Sequence, residues 1–329
     1  MRPSRRHAIA LLATFAVASW PLHAGDDLVF RHGFEICDGG PGTPGCSGFQ
    51  VQTPEIVVAP GQDTTYCYYF RAPNTDTLGI RRWASTMSAG MHHLIVYATY
   101  DSNWNPAERR PPGTLTKGSC SLFEGGGWAG WVYAAHETAQ ELVLPPDDGA
   151  GSPVAVEVLP NQPLVLQMYI PNTSVDPLTT SALVEAEALA PETEFTKTAT
   201  YVTTNTSLLI PPNAVGYTVE ETCATPPAVK FWWLSTRTHR FATSASVSDD
   251  ATTLLETTDW EHPTEATYDP PGFYAFSASG LTFECIYNNP TGSPIFSGDN
   301  EASDEVCMAI GYFFPATRPT LCIDGLGPL

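Results

Sequence analysis

Apolar and polar residues alternate along most of this chain, and that two-residue period constrains the fold more than any other feature. In residues 181–189, SALVEAEAL, Ala182 and Val184 have one parity, whereas Glu185 and Glu187 have the other. Side chains two positions apart lie on the same face of a β-strand, so this segment predicts a strand with one buried face. Runs of the same kind occupy residues 65–70, 93–100, 163–170, 230–234, 281–287 and 306–314.

Turn residues separate these runs. The sequence contains 30 Pro and 26 Gly, and no long stretch has the spacing of an amphipathic helix. We therefore predict an all-β fold built as two consecutive antiparallel β-sandwiches of jelly-roll type. The polar, Thr-rich segment 190–200 is interpreted as a linker between domains at 51–189 and 201–329, and residues 25–50 as an N-terminal tail with a small cysteine loop.

Residues 1–24 have the pattern of a secretory signal peptide. Arg2, Arg5 and Arg6 precede an uncharged, mostly apolar stretch at 8–20, and a small residue precedes the predicted cut. That stretch is too short to anchor the chain in a membrane, and no later apolar run approaches the length of a membrane span. The sequence therefore predicts a secreted or periplasmic protein with no membrane span.

The chain is strongly acidic. It has 15 Lys and Arg against 35 Asp and Glu, for a formal net charge of −20, and the predicted cleavage removes three of the arginines. Such a surface repels a phosphate backbone, so the composition predicts that nucleic acid is not a partner. The expected substrate is a small molecule or a peptide that the sequence does not identify.

Eight cysteines, an even number in a chain predicted to be exported, predict disulfides. Only Cys37 and Cys46, which enclose a loop rich in Gly and Pro, are indicated as a local pair. Spacing alone leaves the pairing of the other cysteines open.

Two adjacent histidines, His92 and His93, begin the apolar run HLIVYATY. Neighbours in a regular strand point to opposite faces, but a bulge or the start of a strand would bring the two rings together. Imidazole suits copper and zinc, so a converging pair predicts a metal site. The alternative is structural, with one buried histidine that is hydrogen-bonded and one that is exposed.

Two further clusters are ambiguous from the residues alone. In TRTHRF, Arg237 and His239 are two apart and would share a strand face, but a guanidinium carries only donors and cannot ligate a metal. The simpler interpretation is a strand with a cationic face. Asp304 and Glu305 precede Val306, and they are interpreted as a surface turn that enters a strand.

The order of these segments carries a resemblance to a known family. The matching segments are, in chain order, TTYCYYFRAP, MHHLIVY, LVLQMYI, LLIPPNAVGYTVEETC, STRTHRFATSASV and SDEVCMAIGYFF. With these segments the chain resembles the copper type II, ascorbate-dependent monooxygenases, the family of peptidylglycine α-hydroxylating monooxygenase and dopamine β-monooxygenase. The resemblance covers residues 51–323 and so extends over both predicted domains.

This resemblance implies two β-sandwiches that face each other across a solvent-filled cleft, with one copper in each. The first copper takes electrons from ascorbate and passes them on, and the second activates O₂ and hydroxylates a C–H bond. The resemblance also implies the bridges Cys67–Cys120, Cys223–Cys322 and Cys285–Cys307, which leave Cys37–Cys46 as the local pair.

For the first copper centre, the resemblance indicates His92, His93 and Tyr169, with Tyr169 at the position of the family's third histidine. A phenolate there would complete a Cu(II) site, because a bound cation lowers the pKa of its ligand. Alternatively, Tyr169 would hydrogen-bond to one imidazole with no metal present.

For the second centre, the resemblance indicates Arg237, His239 and Val306, where the family has two histidines and a methionine. His239 alone has a lone pair to donate, and Arg237 adds a fixed positive charge. The sequence therefore predicts that the O₂-activating centre is empty.

We therefore expect a secreted, catalytically impaired relative of this family that binds one copper through His92 and His93, or none, with ascorbate as a reductant only if the protein is active. One alternative is an active copper-dependent hydroxylase whose second centre is rebuilt with His136 or His262. Another is a non-metal binding or structural module that uses the cleft between the domains for its ligand.

Overall fold

The computed structural model describes residues 47–99, 110–118, 120, 129–277, 280–298 and 300–327. The predicted signal peptide and the predicted Cys37–Cys46 loop lie outside the described residues. Within the described ranges the chain is all-β and contains no helix, as the alternation predicted. These ranges accordingly include no helix long and apolar enough to cross a membrane.

The described residues form 23 strands. Those of the first half are β1 Ser47–Gln52, β2 Ile56–Val58, β3 Asp63–Arg71, β4 Leu78–Met87, β5 His93–Thr99, β6 Leu115–Lys117, β7 Ala129–Ala135, β8 Ala139–Val143, β9 Val154–Val158, β10 Pro163–Pro171, β11 Leu178–Thr180 and β12 Ala182–Ala188. Those that follow are β13 Thr196–Asn205, β14 Leu209–Ile210, β15 Tyr217–Cys223, β16 Lys230–Arg237, β17 Ala242–Asp249, β18 Thr252–Thr257, β19 Glu265–Thr267, β20 Leu281–Tyr287, β21 Ile295–Phe296, β22 Cys307–Phe314 and β23 Thr320–Ile323.

Three larger sheets contain most of these strands, and most neighbours are antiparallel. The largest has the order β1-β12-β4-β9-β13-β22-β16-β19, with β8 beside β4 and β23 beside β13. The second has the order β6-β3-β10-β5-β7, and the third has the order β15-β20-β17-β18. Residues of the second sheet share a core with β1, β4 and β12, and residues of the third share a core with β13, β16 and β22. The predicted sandwich fold is therefore confirmed.

Burial follows the sequence alternation in strands such as β20, whereas β5 and β10 are buried on both faces. In the first core the fully buried rings of Trp83 and Tyr133 stack with their centroids 6.0 Å apart. In the second core Phe231, Val247 and Phe283 are fully buried. Each such side chain contributes about 1.5–3 kcal/mol relative to an exposed one.

Strand β13 corrects the predicted linker at 190–200. Its first residues, Thr196–Thr198, pair in parallel with Val154–Val156 of β9, and its later residues pair with β22 and β23. Threonine is β-branched and suits a strand, so the Thr-rich composition favours a strand here rather than a loose connection. The division into domains at 51–189 and 201–329 stays a prediction, since one hydrogen-bonded sheet runs through both.

The predicted tail at 25–50 also needs a correction at its end. Residues from Ser47 onward belong to β1, which pairs with β12 so that Phe49 lies opposite Ala186 and Val51 opposite Val184. Both Phe49 and Val51 are buried in the first core. This burial makes β1 part of the sandwich rather than of a tail.

The two halves of the chain share buried side chains. Trp232, Tyr312 and Phe314, all from the second half, pack in the first core. The Trp232 ring stacks on Tyr312 with centroids 5.0 Å apart, and its Nε1–H donates a hydrogen bond of 2.9 Å to Thr198 Oγ1. The resemblance implies two halves that face each other across a solvent-filled cleft, but here apolar side chains of the second half pack directly in the core of the first.

Three disulfides link the described cysteines. They are Cys67–Cys120, Cys223–Cys322 and Cys285–Cys307, and no described cysteine is free. These are the three pairings that the resemblance implied.

Candidate functional site

The two adjacent histidines converge at the start of a strand. His93 is the first residue of β5, and the backbone N–H of His92 donates to the carbonyl of Tyr169 on β10 at 2.9 Å. Because His92 precedes the regular strand, its ring is free to turn toward that of His93, and the two Nδ1 atoms lie 3.3 Å apart. Of the two arrangements considered from the sequence, the convergent one is present.

Both imidazoles are held in the neutral form. Burial lowers the pKa of His92, and the nearby Arg237 guanidinium lowers it further. The same two causes, in the same order, lower the pKa of His93 well below its usual value. A neutral ring keeps one nitrogen lone pair available, which is the form that a metal requires.

A carboxylate that the sequence did not single out completes the cluster. Glu301, between β21 and β22, is buried, with Oε2 lying 3.3 Å from His92 Nε2 and Oε1 lying 3.7 Å from His93 Nδ1. One donor atom from each of His92, His93 and Glu301 lies within 4.8 Å of the other two. Burial raises the pKa of Glu301 to about 7, and Arg237 opposes this shift.

Tyr169 lies beside the histidines as a ring rather than as an anion. It pairs with His93 across β10 and β5, and its ring stacks on that of His93 with centroids 5.2 Å apart. Burial raises the pKa of Tyr169, and a hydrogen bond to Asp63 raises it further. These contacts favour the neutral phenol, which is a poor ligand, and the Tyr169 ligand stays a prediction.

Arg237 brings a cation from the second half of the chain to the same place. It is the last residue of β16, and its Nη2 lies 3.5 Å from both ring nitrogens of His93 and 3.5 Å from Glu301 Oε1. A guanidinium has no lone pair to offer, so Arg237 pairs with the carboxylate instead of joining a donor set. Arg237, which the resemblance assigns to the second centre, thus contacts His93 of the first.

His239 lies beyond the end of β16, in a turn that precedes β17, which corrects the expectation that it shares a strand face with Arg237. It is buried, and because Asp304 presents a carbonyl oxygen at 3.1 Å, His239 Nδ1 carries the hydrogen. His239 Nε2 is buried without a partner, and burial lowers the pKa of this histidine to about 4. Its free lone pair suits a metal, but His239 belongs to neither of the three-residue donor groups found in the described part of the chain.

Glu305 holds the turn that carries His239. Its carboxylate accepts the backbone N–H of His239 at 3.0 Å and that of Phe241 at 2.6 Å. The side chain is fully buried, and burial raises its pKa to about 7. The prediction of a surface turn is therefore wrong for Glu305, because its side chain lies inside the fold and accepts backbone N–H groups of a distant segment.

Cavities flank the cluster on two sides. A larger one of about 520 Å³ is lined by residues of both halves, including Trp131, Val202 and Met308. A smaller one of about 110 Å³ includes His136. His93 and Arg237 line both cavities and so form part of the wall between them.

The other histidine proposed as a replacement ligand lies at the surface. His262 is exposed and forms an exposed donor group with Asp259 and Glu261. Its Nδ1 lies 3.2 Å from Asp259 Oδ2, so a surface hydrogen bond explains its position.

The fold and site define an all-β, disulfide-linked protein with a pair of adjacent histidines, one buried and one partly exposed, where its two halves meet. No family model matches the chain, and no curated protein matches it. Among solved structures, the major capsid protein P2 of bacteriophage PM2 is similar at 8% identity and a TM-score of 0.35, over 82% of this chain and 97% of that one.

Two other solved structures are more weakly similar. An archaeal virus protein with a triple jelly-roll fold matches at 7% identity and a TM-score of 0.19, over 81% of this chain and 59% of that one. PNGase F, a glycosylasparaginase from Flavobacterium meningosepticum, matches at 10% identity and a TM-score of 0.25, over 81% of this chain and 94% of that one. Similarity at this level carries no argument about activity.

Proposed function

We propose that this chain is an exported, catalytically impaired relative of the copper type II, ascorbate-dependent monooxygenases that holds one copper ion through His92 and His93. The observation that carries the proposal is the convergence of the two rings, with their Nδ1 atoms 3.3 Å apart. Burial keeps both rings in the neutral, ligating form. Copper bound there would supply one-electron chemistry between Cu(II) and Cu(I).

Export is supported by two independent features. The first 24 residues have the composition of a cleavable leader, and three disulfides link the described cysteines. Disulfides of this kind persist in oxidising compartments outside the cytosol.

Hydroxylation needs a second centre, and the residues that would build it offer little. Arg237 occupies a ligand position of this centre in the resemblance, and its guanidinium has no lone pair to donate and adds a positive charge that would repel a cation bound there. The Val306 side chain has no lone pair, which leaves His239 Nε2 as a single nitrogen donor. One donor is too few to retain copper against competing ligands, so we propose that O₂ activation is lost.

The experiment is copper loading of the chain expressed without its leader. After Cu(II) loading and washing, elemental analysis is expected to give one copper per chain, with a single Cu(II) electron spin resonance spectrum. His92→Ala and His93→Ala should lose the metal, whereas the surface variant His262→Ala should keep it. Oxygen consumption with ascorbate should stay at background.

Two tightly held coppers per chain, one of them lost in His239→Ala, would overturn this proposal in favour of the active hydroxylase. A wild-type chain that keeps no copper after washing would overturn it in favour of a module without metal. Each outcome is read from the same preparation.

The cavity of about 520 Å³ favours a second candidate function, that of a binding module. Apolar side chains such as Ile95, Val202 and Met308 line it, and Arg237 lies at its edge. A small molecule or peptide with an apolar body and an anionic group fits this lining. Fluorescence of Trp131 in the wall should change on titration with medium-chain carboxylates, and less with the matching alcohols.

A further inference from the structure

We propose that Glu301 is the third ligand of the metal site, so that a bound ion fastens the second half of the chain to the first. This inference rests on the proposed function, because it requires that His92 and His93 bind a metal. It changes what the metal does: besides acting as a cofactor, the ion would link the segment between β21 and β22 to the start of β5. The argument begins from the geometry of Glu301.

The donor atoms of Glu301 and the histidines are already close enough to meet one ion. Their mutual distances of 4.8 Å or less need only small side-chain movements to reach a common centre. Glu301 is buried, and its two oxygens face different rings, Oε2 that of His92 and Oε1 that of His93. A buried carboxylate is stabilised more by a cation than by uncharged imidazole rings, so Glu301 would gain more from a metal ion than from the rings alone.

The chemistry of this donor set differs from one built on histidine and methionine alone. Two imidazoles and a carboxylate form a mixed nitrogen and oxygen set, which suits divalent ions such as Zn²⁺ and Cu²⁺. The softer Cu(I) prefers sulfur donors and gains less from a carboxylate. The site should therefore stabilise the divalent state and resist reduction.

The backbone of the segment that carries Glu301 is anchored in the second half of the chain. Its segment turns back on itself, with the Asp304 N–H donating to the Asn300 carbonyl at 2.7 Å. The Glu305 N–H donates to the Phe296 carbonyl at 2.9 Å, and the following Cys307 is linked to Cys285. In contrast, His93 begins β5 in the five-stranded sheet of the first half, and His92 directly precedes it.

Arg237 competes with a metal for the same carboxylate. Its Nη2 lies 3.5 Å from Glu301 Oε1, so an ion that binds Glu301 must share that oxygen with the guanidinium or displace it. Removing the cation while keeping a polar side chain should therefore tighten metal binding. If Arg237 had only a structural role, its replacement would weaken metal binding instead.

The test compares Glu301→Gln with Glu256→Gln, a substitution of an exposed glutamate on β18. The probe is Zn²⁺, titrated at pH 8 by calorimetry. Glu301→Gln is expected to weaken binding by about 10- to 100-fold or more, as loss of a supporting carboxylate does in other sites. Glu256→Gln should bind as the wild type does, and Arg237→Gln should bind more tightly.

Hydrogen exchange on the same samples reports the link directly. In the wild type, Zn²⁺ should slow exchange in β5 and also in residues 300–309. In Glu301→Gln at saturating Zn²⁺, exchange should slow in β5 only. If Glu301→Gln fails to fold, Glu301→Asp keeps the charge with a shorter reach and should bind with intermediate affinity.

The two proposals fail in different ways. Equal Zn²⁺ affinity in wild type and Glu301→Gln, with binding lost in His92→Ala, overturns the role of Glu301 and leaves the histidine site standing. Unchanged exchange at 300–309 in the metal-bound wild type overturns the link in the same way. No binding by the wild type overturns both.

Discussion

The shared apolar core can be tested at Trp232. This indole is buried, stacks on Tyr312 and donates to Thr198 Oγ1. Trp232→Ala leaves a cavity in the first core, which should lower the free energy of unfolding by about 3–5 kcal/mol. Trp232→Phe keeps a ring but loses volume and the hydrogen bond, so the expected loss is about 1–2 kcal/mol.

The assay is urea unfolding followed by circular dichroism, together with hydrogen exchange of the β10 amides. Because Trp232 belongs to the second half but packs in the first core, protection of β10 in the first half should fall with the global stability. The control is Val215→Ala, a substitution of an exposed side chain in the second half, which should change the free energy of unfolding by no more than about 0.5 kcal/mol. A Trp232→Ala chain whose first half unfolds at the wild-type urea concentration would refute the shared core.

Three further predictions concern charge and covalent links. Burial lowers the pKa of His239 to about 4, so the free energy of unfolding of the wild type should fall by up to about 3 kcal/mol as pH falls from 6.5 through 4. A His239→Gln variant that loses the same amount of stability over this pH range would contradict this. Burial raises the pKa of Glu305 to about 7, so this group stabilises the fold fully below pH 4.5, and the free energy of unfolding should fall by up to about 3 kcal/mol as pH rises from 4.5 through 7. Urea titrations across that range should show no such fall in Glu305→Gln. Replacing Cys67 and Cys120 together by Ser opens a link across 53 residues and should cost about 4 kcal/mol of unfolding free energy; an unchanged urea midpoint would show that the loop is restrained without the bridge.

The strands were the most predictable part of this molecule. Seven of them, β3, β5, β10, β12, β16, β20 and β22, overlap runs that alternation identified in the sequence. Alternation succeeds because each of these strands has a face buried in one of the cores, and burial selects side chains locally. The linker prediction failed at Thr196 because pairing with β9 is a long-range contact that composition does not record.

Only half of the candidate site could be predicted, because the other half also depends on long-range contacts that the local sequence does not record. Adjacent His92 and His93 are visible in the sequence, but whether their rings converge depends on where β5 begins. Glu301 stands in a polar run, GDNEASDE, in which no local pattern separates it from its neighbours. Its approach to the histidines results from the packing of one half on the other, and so does the burial of Glu305.

Strand β13 has a consequence for any attempt to divide this chain. A fragment that stops before Thr196 would expose the edge of β9, and one that starts after Asn205 would expose β22 and β23. Open edges present unpaired N–H and C=O groups to other molecules. Half-length fragments should therefore self-associate, and chimaeras with other sandwiches should exchange the chain only at boundaries that keep residues 196–205 intact.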